Sequence, residues 1–178
     1  NGFYPENLEN SGVSLTEKFT ITYTGQVIAN KQDPEKVLVS LKKLISQRII
    51  SERDVEVRFY GRRENWLTSR ISKYGLSSAV RQYGGVSRYE SLQKQKESHI
   101  LLLLNWEDPR EKGVYPTKFF EYLSAKRPIL ATGGFLGDDI EKILIKTKAG
   151  VYAASVEEIE IALLDYYREY KRTKGVSY

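Results

Sequence analysis

The residue types that could hold an anionic ligand are concentrated in one segment, residues 115–128. Lys118 and Glu121 are three residues apart, so they share one face of any helix that this segment forms. Thr117, just before them, can cap the start of that helix through its hydroxyl. Because a helix N-terminus carries partial positive charge and free N–H groups, the segment predicts a site for an anionic, hydroxyl-rich ligand.

The flanking segments predict the elements that position this helix. The apolar run 99–105 precedes it, and after Pro128 the chain begins another strand. A run without polar alternation is typical of a strand covered on both faces, as in the middle of a parallel sheet. Strand-like and helix-like patterns alternate along the whole chain, with strands predicted at 19–24, 55–60, 80–83, 99–105, 129–132 and 150–154.

This alternation predicts an α/β fold. We expect a single doubly wound, Rossmann-like parallel sheet of about six strands, with helices on both faces and right-handed crossovers. The first helix is expected to have Pro34 as its first residue and to extend to Ile50. Residues 1–18 are polar and are interpreted as a lead-in, and residues 19–178 as the folded domain.

Glycines follow several of the predicted strands. In doubly wound sheets, ligands bind beyond the C-terminal ends of the strands. Glycines at those ends let backbone N–H groups approach a phosphate, although termination of its strand explains any single one better. The set as a whole favours a phosphate site, and it comprises Gly25, Gly61, Gly84–Gly85 and Gly133–Gly134.

Composition limits the chemistry. The 178 residues include no cysteine and one histidine, which excludes disulfides, thiolate chemistry and a histidine-rich metal site. The apolar run Ile100–Leu104 is far shorter than the roughly 20 residues of a membrane helix. The net charge of +5 arises within residues 61–126, either as solvated helix faces or as a phosphate pocket. With no methionine at all, we expect the chain to be a piece of a longer one.

Other sites are weaker hypotheses. The loop 132–137 nearly matches the dinucleotide fingerprint, but Thr132 replaces its first glycine and no acid ends the next strand. His99 is expected to be structural, so no Ser/His/Asp set can be built. The acids of loop 106–114 could bind a metal or supply a base, or be solvated. The tail 166–172 mixes aromatic and basic residues, but its charges balance and its tyrosines suit the inner face of a helix, so no nucleic-acid partner is expected.

Four segments together resemble one known family. They are Asn1-Gly2-Phe3, the strand and glycine at 19–25, the stretch 80–86 followed by Glu90, and 116–123 with 127–130. The chain resembles the C-terminal, donor-binding domain of retaining group 4-like glycosyltransferases, which is one half of a GT-B fold. The last segment is the most specific, and the four together extend over essentially the whole chain.

The resemblance implies roles for individual residues. Glu121 would accept hydrogen bonds from ribose hydroxyls, and free N–H groups from Thr117 to Phe119 would hold a diphosphate together with Lys118. The main chain at Val86 would contact the base. Lys118 and Glu121 would be the catalytic residues, and the nucleotide-sugar-binding set would be Gly25, Lys31, Gly61, Gly84, Val86, Pro116, Thr117, Lys118, Phe119 and Glu121.

The sequence departs from the family pattern at two places. The family often has a second glutamate eight residues before Glu121, where this chain has Gly113. Three alternatives stay open: Glu111 makes that donor-sugar contact, Glu107 makes it, or the sugar is recognised in a different way. The family also often has arginine after the first glycine and lysine six residues later, where this chain has Gln26 and Gln32, so Lys31 is an approximate replacement.

The implied function is to bind a UDP-, GDP- or similar nucleotide sugar in a glycosyltransferase of glycan or polysaccharide biosynthesis. The sugar would be transferred with retention and without a metal or cofactor. An N-terminal acceptor domain, absent from this chain, would complete a cytoplasmic enzyme and could bind the membrane surface, so the fragment alone is expected to be inactive. Two alternatives stay open: half of a sugar-nucleotide 2-epimerase, and a non-catalytic module that binds nucleic acid or protein.

Overall fold

The computed structural model describes residues 12–106, 115–135 and 137–177, and in them six strands alternate with six helices. The strands are β1 Phe19–Thr24, β2 Val55–Tyr60, β3 Val80–Gly84, β4 Ile100–Leu104, β5 Ile129–Thr132 and β6 Gly150–Tyr152. The helices are α1 Glu35–Ser46, α2 Asn65–Lys73, α3 Arg88–Lys96, α4 Thr117–Ala125, α5 Asp139–Thr147 and α6 Val156–Thr173.

The strands form one parallel sheet in the order β3-β2-β1-β4-β5-β6. The chain starts at the centre of the sheet, builds outward to β3, and then crosses over to place β4 on the other side of β1. Ile21 of β1 therefore pairs with Ile100 of β4. This order confirms the predicted doubly wound, Rossmann-like sheet, and it places the change of direction between β1 and β4.

Both faces of the sheet are covered. All five residues of β4 are buried, and they alternate between two hydrophobic clusters, with Leu102 in one and Leu101 and Leu103 in the other. Helices α1, α2 and α6 contribute to the first cluster and α4 and α5 to the second. The absence of polar alternation in β4 thus reflects burial on both sides, as predicted.

Two predicted helix starts are wrong, for the same reason. Pro34 and Pro116 each occupy the capping position, so α1 begins at Glu35 and α4 begins at Thr117. Thr117 is consequently the first residue of α4 and is exposed, and its hydroxyl does not cap the helix. A proline before the first turn lacks an N–H that would need a partner. Helix α1 also ends at Ser46, before the predicted Ile50.

His99 has the structural role that was expected. It lies just before β4 and is 1% exposed. Its Nδ1 accepts a hydrogen bond from the Thr20 N–H at 3.1 Å, and its Nε2 lies 3.3 Å from the carbonyl of Lys174, beyond α6. Its ring packs edge-on against Tyr170. Burial lowers the pKa of His99 to about 4, so the ring is neutral near pH 7.

The tyrosines of α6 also follow the prediction. Tyr167 and Tyr170 are buried, and both rings pack against Phe19 of β1. Rings in this position complete the core and are not presented for stacking on nucleic-acid bases. Across residues 12–106, 115–135 and 137–177, no helix combines the length and the apolar character needed to cross a bilayer.

Candidate functional site

Three glycines form a bare backbone edge at the C-terminal ends of β1, β2 and β3. The N–H of Gly25 donates to the Tyr60 carbonyl at 2.7 Å, and that of Gly61 donates to the Gly84 carbonyl at 2.9 Å. A Cβ on Gly61 would lie 2.2 Å from the carbonyl oxygen of Gly25. Side chains are therefore excluded between these strand ends. The N–H groups of Gly25 and Gly61 are used within the sheet, so the prediction that they would approach a phosphate is wrong, and these glycines supply space rather than donors.

Lys118 lies directly beside this edge. A Cβ on Gly25 would lie 2.9 Å from the Lys118 Nζ, so the missing side chain makes room for the ammonium group. The Nζ donates to the Tyr23 hydroxyl at 2.5 Å and lies 4.0 Å from the centre of the Tyr23 ring. Burial lowers the pKa of Lys118 to about 8, and the nearby Glu121 carboxylate opposes that change. The cation is thus held in a partly dry position.

A cleft of about 380 Å³ opens in front of Lys118. It is bounded by the turn after β1, the end of β4, the start of α4 and the loop between β5 and α5. This is the point where the sheet order changes direction, which is the usual ligand position in doubly wound folds. The lining residues are Gly25, Gln26, Ile28, Gln32, Leu104, Asn105, Trp106, Tyr115, Pro116, Lys118, Gly134, Phe135, Asp138, Asp139 and Ile140.

Gln32 holds one wall of the cleft in place. Its side chain is buried, its Nε2 donates to the Leu104 carbonyl at 2.9 Å, and its Oε1 accepts from the Ile28 N–H at 3.1 Å. The turn after β1 is thereby tied to the end of β4. The sequence marked Gln32 only as a departure from the family pattern, but here the amide both donates and accepts, which a lysine could not do.

Glu121 points away from the cleft lining, toward α3. Its carboxylate lies 3.3 Å from the Arg88 guanidinium and 3.4 Å from the Gln95 Nε2. Gln95 also donates to the Thr24 hydroxyl at 3.1 Å, next to the end of β1. Because Arg88 begins α3 four residues after the end of β3, its contact with Glu121 puts Glu121 on the β3 side of Lys118.

Helix α4 is anchored to β1 by a residue that the sequence did not single out. The Thr24 N–H donates to the hydroxyl of Tyr122 at 2.9 Å, and Tyr122 is completely buried. Phe119 is also fully buried. These contacts fix the rotation of the helix and hence the directions of Lys118 and Glu121.

The remaining predicted residues have different outcomes. The Phe119 N–H donates to the Pro116 carbonyl at 2.9 Å, so the free amide predicted there is wrong and only the earlier amides of α4 stay candidates. Lys31 lies at the rim, with its Nζ 4.1 Å from the centre of the Trp106 ring. Glu111, like Glu107 and the segment 1–3, lies outside the described residues.

The glycine loop after β5 forms the opposite wall. Gly133 and Gly134 have φ of 76° and 77°, a left-handed conformation that favours glycine. Asp138 ends the loop and caps α5, its Oδ1 accepting from the Glu141 N–H at 2.9 Å. This loop, the near-match to a dinucleotide fingerprint, comes after β5. A true fingerprint comes after the first strand of the sheet, so the position of the loop does not match one.

Sequence reasoning missed Tyr23 and Asn105. Tyr23 alternates with the other residues of β1, and only the fold shows that its hydroxyl reaches Lys118. Asn105 is the polar residue that ends the apolar run of β4. Its position at a central strand end was a usable signal, because the ligand side of such a sheet lies there.

Comparison with known proteins identifies the fold. No family model and no curated protein matches the sequence. Among solved structures, the chain is similar to WaaG, a glycosyltransferase involved in lipopolysaccharide biosynthesis (16% identity, TM-score 0.66), over 97% of this chain and 50% of that one. It is similar to the pneumococcal O-GlcNAc transferase GtfA in complex with UDP and GlcNAc (10%, 0.60), over 95% and 32%. It is also similar to a protein from Listeria monocytogenes described as a UDP-N-acetylglucosamine 2-epimerase (11%, 0.57), over 94% and 40%.

At these identities the likeness concerns the fold. The chain has the architecture of one half of a GT-B glycosyltransferase, as expected from its sequence motifs. It spans half or less of the length of each of these structures.

Proposed function

We propose that the chain is the donor-binding half of a glycosyltransferase that moves a sugar from a nucleotide diphosphate to an acceptor. The observation that carries the proposal is the Lys118 ammonium, held beside the Gly25 backbone at the switch point of a GT-B half-domain. A cation next to bare backbone suits a diphosphate, and it lies where doubly wound folds bind nucleotides.

In this proposal Lys118 and the first amides of α4 hold the diphosphate. As the bond between the sugar and the diphosphate breaks, negative charge grows on the departing phosphate. A fixed cation in a partly dry site stabilises that charge without having to reorganise. Lys118 and the helix N-terminus would in this way supply the charge that a metal ion supplies in other transferases.

Glu121 would hold the ribose. Its carboxylate accepts hydrogen bonds and lies on the β3 side of Lys118, toward Gly84 and Val86, where the base would lie. Ribose hydroxyls would replace the contact with Arg88, whose side chain is half exposed and can move aside. Gly61 would contribute only backbone to the floor of the site.

The stereochemistry, the pathway and the location of the reaction are also proposals. The sugar would be transferred with retention at the anomeric carbon. The pathway would build a glycan or polysaccharide, by analogy with WaaG, which shares the fold and is involved in lipopolysaccharide biosynthesis. The other half of the enzyme would carry the acceptor site and would contact the inner face of the membrane from the cytoplasm.

Titration calorimetry with UDP, GDP and ADP tests the proposal. We expect at least one of them to bind the chain, and Lys118→Met to weaken that binding more than tenfold, since an ion pair with the diphosphate is lost. Lys146→Met removes an exposed lysine of α5 and should leave binding unchanged. A folded chain that gives no heat with any of the three nucleotides would show that the proposal is wrong.

The Listeria structure keeps one alternative open, half of a sugar-nucleotide 2-epimerase. The two activities differ in their products, because an epimerase inverts one carbon of the sugar before releasing it. Incubating UDP-N-acetylglucosamine with the enzyme and following the sugar by proton NMR separates them. Accumulation of the 2-epimer would favour the epimerase, whereas UDP released in proportion to a glycosylated acceptor would favour the transferase.

A further inference from the structure

We propose that Asn105 is a specificity-determining residue that binds a hydroxyl group of the donor's sugar. The contact would form in the part of the cleft between the end of β4 and the loop after β5, which we term the sugar side. This inference rests on the proposed function, because it assumes that the diphosphate lies at Lys118.

The first argument is the state of the Asn105 side chain. It is 5% exposed and lines the cleft. Neither its Oδ1 nor its Nδ2 has a hydrogen-bond partner among the described residues. Leaving both atoms of a buried amide unpaired is costly, and native proteins rarely do so without a reason. A ligand hydroxyl, which both donates and accepts, matches a group that offers one donor and one acceptor side by side.

The second argument is the set of residues that surround the Asn105 side chain. A Cβ on Gly134 would lie 3.0 Å from the Asn105 Cβ and 3.5 Å from its Nδ2, so the glycine loop approaches the amide closely. The same position is 3.0 Å from the Asp138 Oδ2. The other oxygen of Asp138 caps α5, which fixes the carboxylate. An amide and a fixed carboxylate around one small space provide the mixture of donor and acceptors that a hydroxyl-bearing ring requires.

The third argument is the order of the strands. Glu121, Gly84 and Val86 lie on the β3 side of Lys118, where the nucleoside is proposed to bind. Asn105 follows β4 and Gly134 follows β5, on the other side of β1. A nucleotide sugar carries its nucleoside and its sugar at opposite ends of the diphosphate. With the nucleoside toward β3, the sugar extends toward β4 and β5.

Burial without a partner is not by itself the signal. The hydroxyls of Thr132 and Ser124 are also buried without a partner among the described residues, but neither side chain lines the cleft. Asn105 is the one of these three that combines both properties. Thr132 therefore provides a matched control, because its backbone carbonyl pairs with the Asn105 N–H at 2.9 Å on the neighbouring strand.

The experiment compares each free nucleotide diphosphate with its sugar nucleotide. Calorimetry is run with UDP against UDP-glucose, UDP-galactose and UDP-N-acetylglucosamine, and with GDP against GDP-mannose, on the wild-type chain, Asn105→Ala and Thr132→Val. We expect Asn105→Ala to weaken at least one sugar nucleotide about tenfold, the loss of about one hydrogen bond, while changing its free diphosphate less than twofold. Thr132→Val should change neither.

A second readout does not depend on a variant that folds. The side-chain NH₂ signals of Asn105 in the nitrogen–proton NMR spectrum should shift when that sugar nucleotide is added and stay in place with the diphosphate alone. Equal weakening of both ligands by Asn105→Ala, no weakening of either, or NH₂ signals that respond alike to both would overturn the inference. Absence of binding to UDP, GDP and ADP altogether would instead overturn the proposed function, and this inference with it.

Discussion

At the scale of single residues, the cleft depends on a lysine held where lysines are costly. The ammonium of Lys118 is partly desolvated. It donates a hydrogen bond to the Tyr23 hydroxyl and makes a cation–π contact with the Tyr23 ring. This partial burial favours loss of the proton, although the nearby Glu121 carboxylate opposes it. A bound diphosphate would restore the missing charge, so ligand binding and protonation of Lys118 should be coupled.

This coupling gives a prediction about pH. Because the pKa of free Lys118 is about 8, the side chain is protonated at pH 7 and mostly neutral at pH 9. A diphosphate raises that pKa, so binding of UDP or GDP should take up close to one proton at pH 9 and little at pH 7, and the affinity should fall as the pH rises above 8. Calorimetry in buffers of different ionisation enthalpy measures the uptake.

Lys118→Arg is the control for this measurement, because a guanidinium stays charged throughout the range. The variant should take up no proton at either pH. Wild-type binding that is proton-neutral at pH 9 would contradict the coupling, as would an equal uptake by the arginine variant.

The sequence predicted the arrangement of the individual site residues only in part. The spacing of Lys118 and Glu121 predicted that both share one face of a helix, and both do lie on α4. It did not show that Lys118 turns into the cleft while Glu121 turns toward Arg88, because that rotation is set by Tyr122, whose hydroxyl meets a backbone group 98 residues away along the chain. The role proposed for Asn105 could not be predicted from the sequence either, because the lack of a hydrogen-bond partner for its side chain is a property of the packed structure.

At the scale of elements, the main feature that shapes the site is the bare backbone edge formed by Gly25, Gly61 and Gly84. It brings three strand ends closer together than side chains allow. Gly61 is the critical member, because its Cβ position is occupied by the backbone of Gly25, which cannot move aside as a flexible side chain could.

Gly61→Ala is therefore expected to lower the free energy of unfolding by a few kcal/mol, on the order of 2–4, since it forces β1 and β2 apart. It should also weaken nucleotide binding, because it displaces Gly25. Urea unfolding followed by circular dichroism measures the first effect. Gly85→Ala is the matched control, with nothing within 4 Å of its Cβ position, and should stay within about 0.5 kcal/mol of wild type. Equal stability of the two variants would contradict the close approach.

The elements themselves were largely predictable, because each depends on local pattern. The β-branched and aromatic run at Phe19–Thr24 and the uninterrupted leucines of β4 both form strands as expected. The errors lie at helix starts: Pro34 caps α1 rather than beginning it, and Pro116, not Thr117, occupies the capping position of α4. Composition alone does not separate these two positions, because a proline fits the backbone of either.

At the scale of the whole molecule, the base of the sheet, opposite the cleft, is closed by His99. This residue joins the start of β1 through Thr20 to the end of α6 through Lys174. Its neutral ring is part of the packing, so a proton on it must be accommodated in a buried place. The alternation of elements predicted the doubly wound sheet, but it did not predict that the single histidine would link the first strand to the last helix.

Acid should therefore destabilise the fold through His99. Its folded pKa of about 4 lies below the unfolded value near 6.5, so the unfolded chain binds more protons between these values and stability falls as the pH falls from 6.5 to 4. The loss is on the order of 2 kcal/mol. His99→Gln keeps a donor and an acceptor but does not titrate, so urea unfolding at pH 7 and pH 4.5 should show a smaller loss for the variant. Parallel losses would contradict the assignment.

The pairing of β1 with β4 also determines when the site can exist. Strands β1, β2 and β3 are neighbours in the chain and can pair as soon as they emerge from the ribosome, whereas the contact between Thr20 and His99 joins residues 79 apart. Closing so long a loop is slow, and its entropy cost precedes any gain from packing. At the opposite end of these strands, the cleft is lined both by the turn after β1 and by the end of β4. A nascent chain therefore lacks this cleft until β4 has docked, so a ligand of the cleft can bind only molecules whose central sheet is complete.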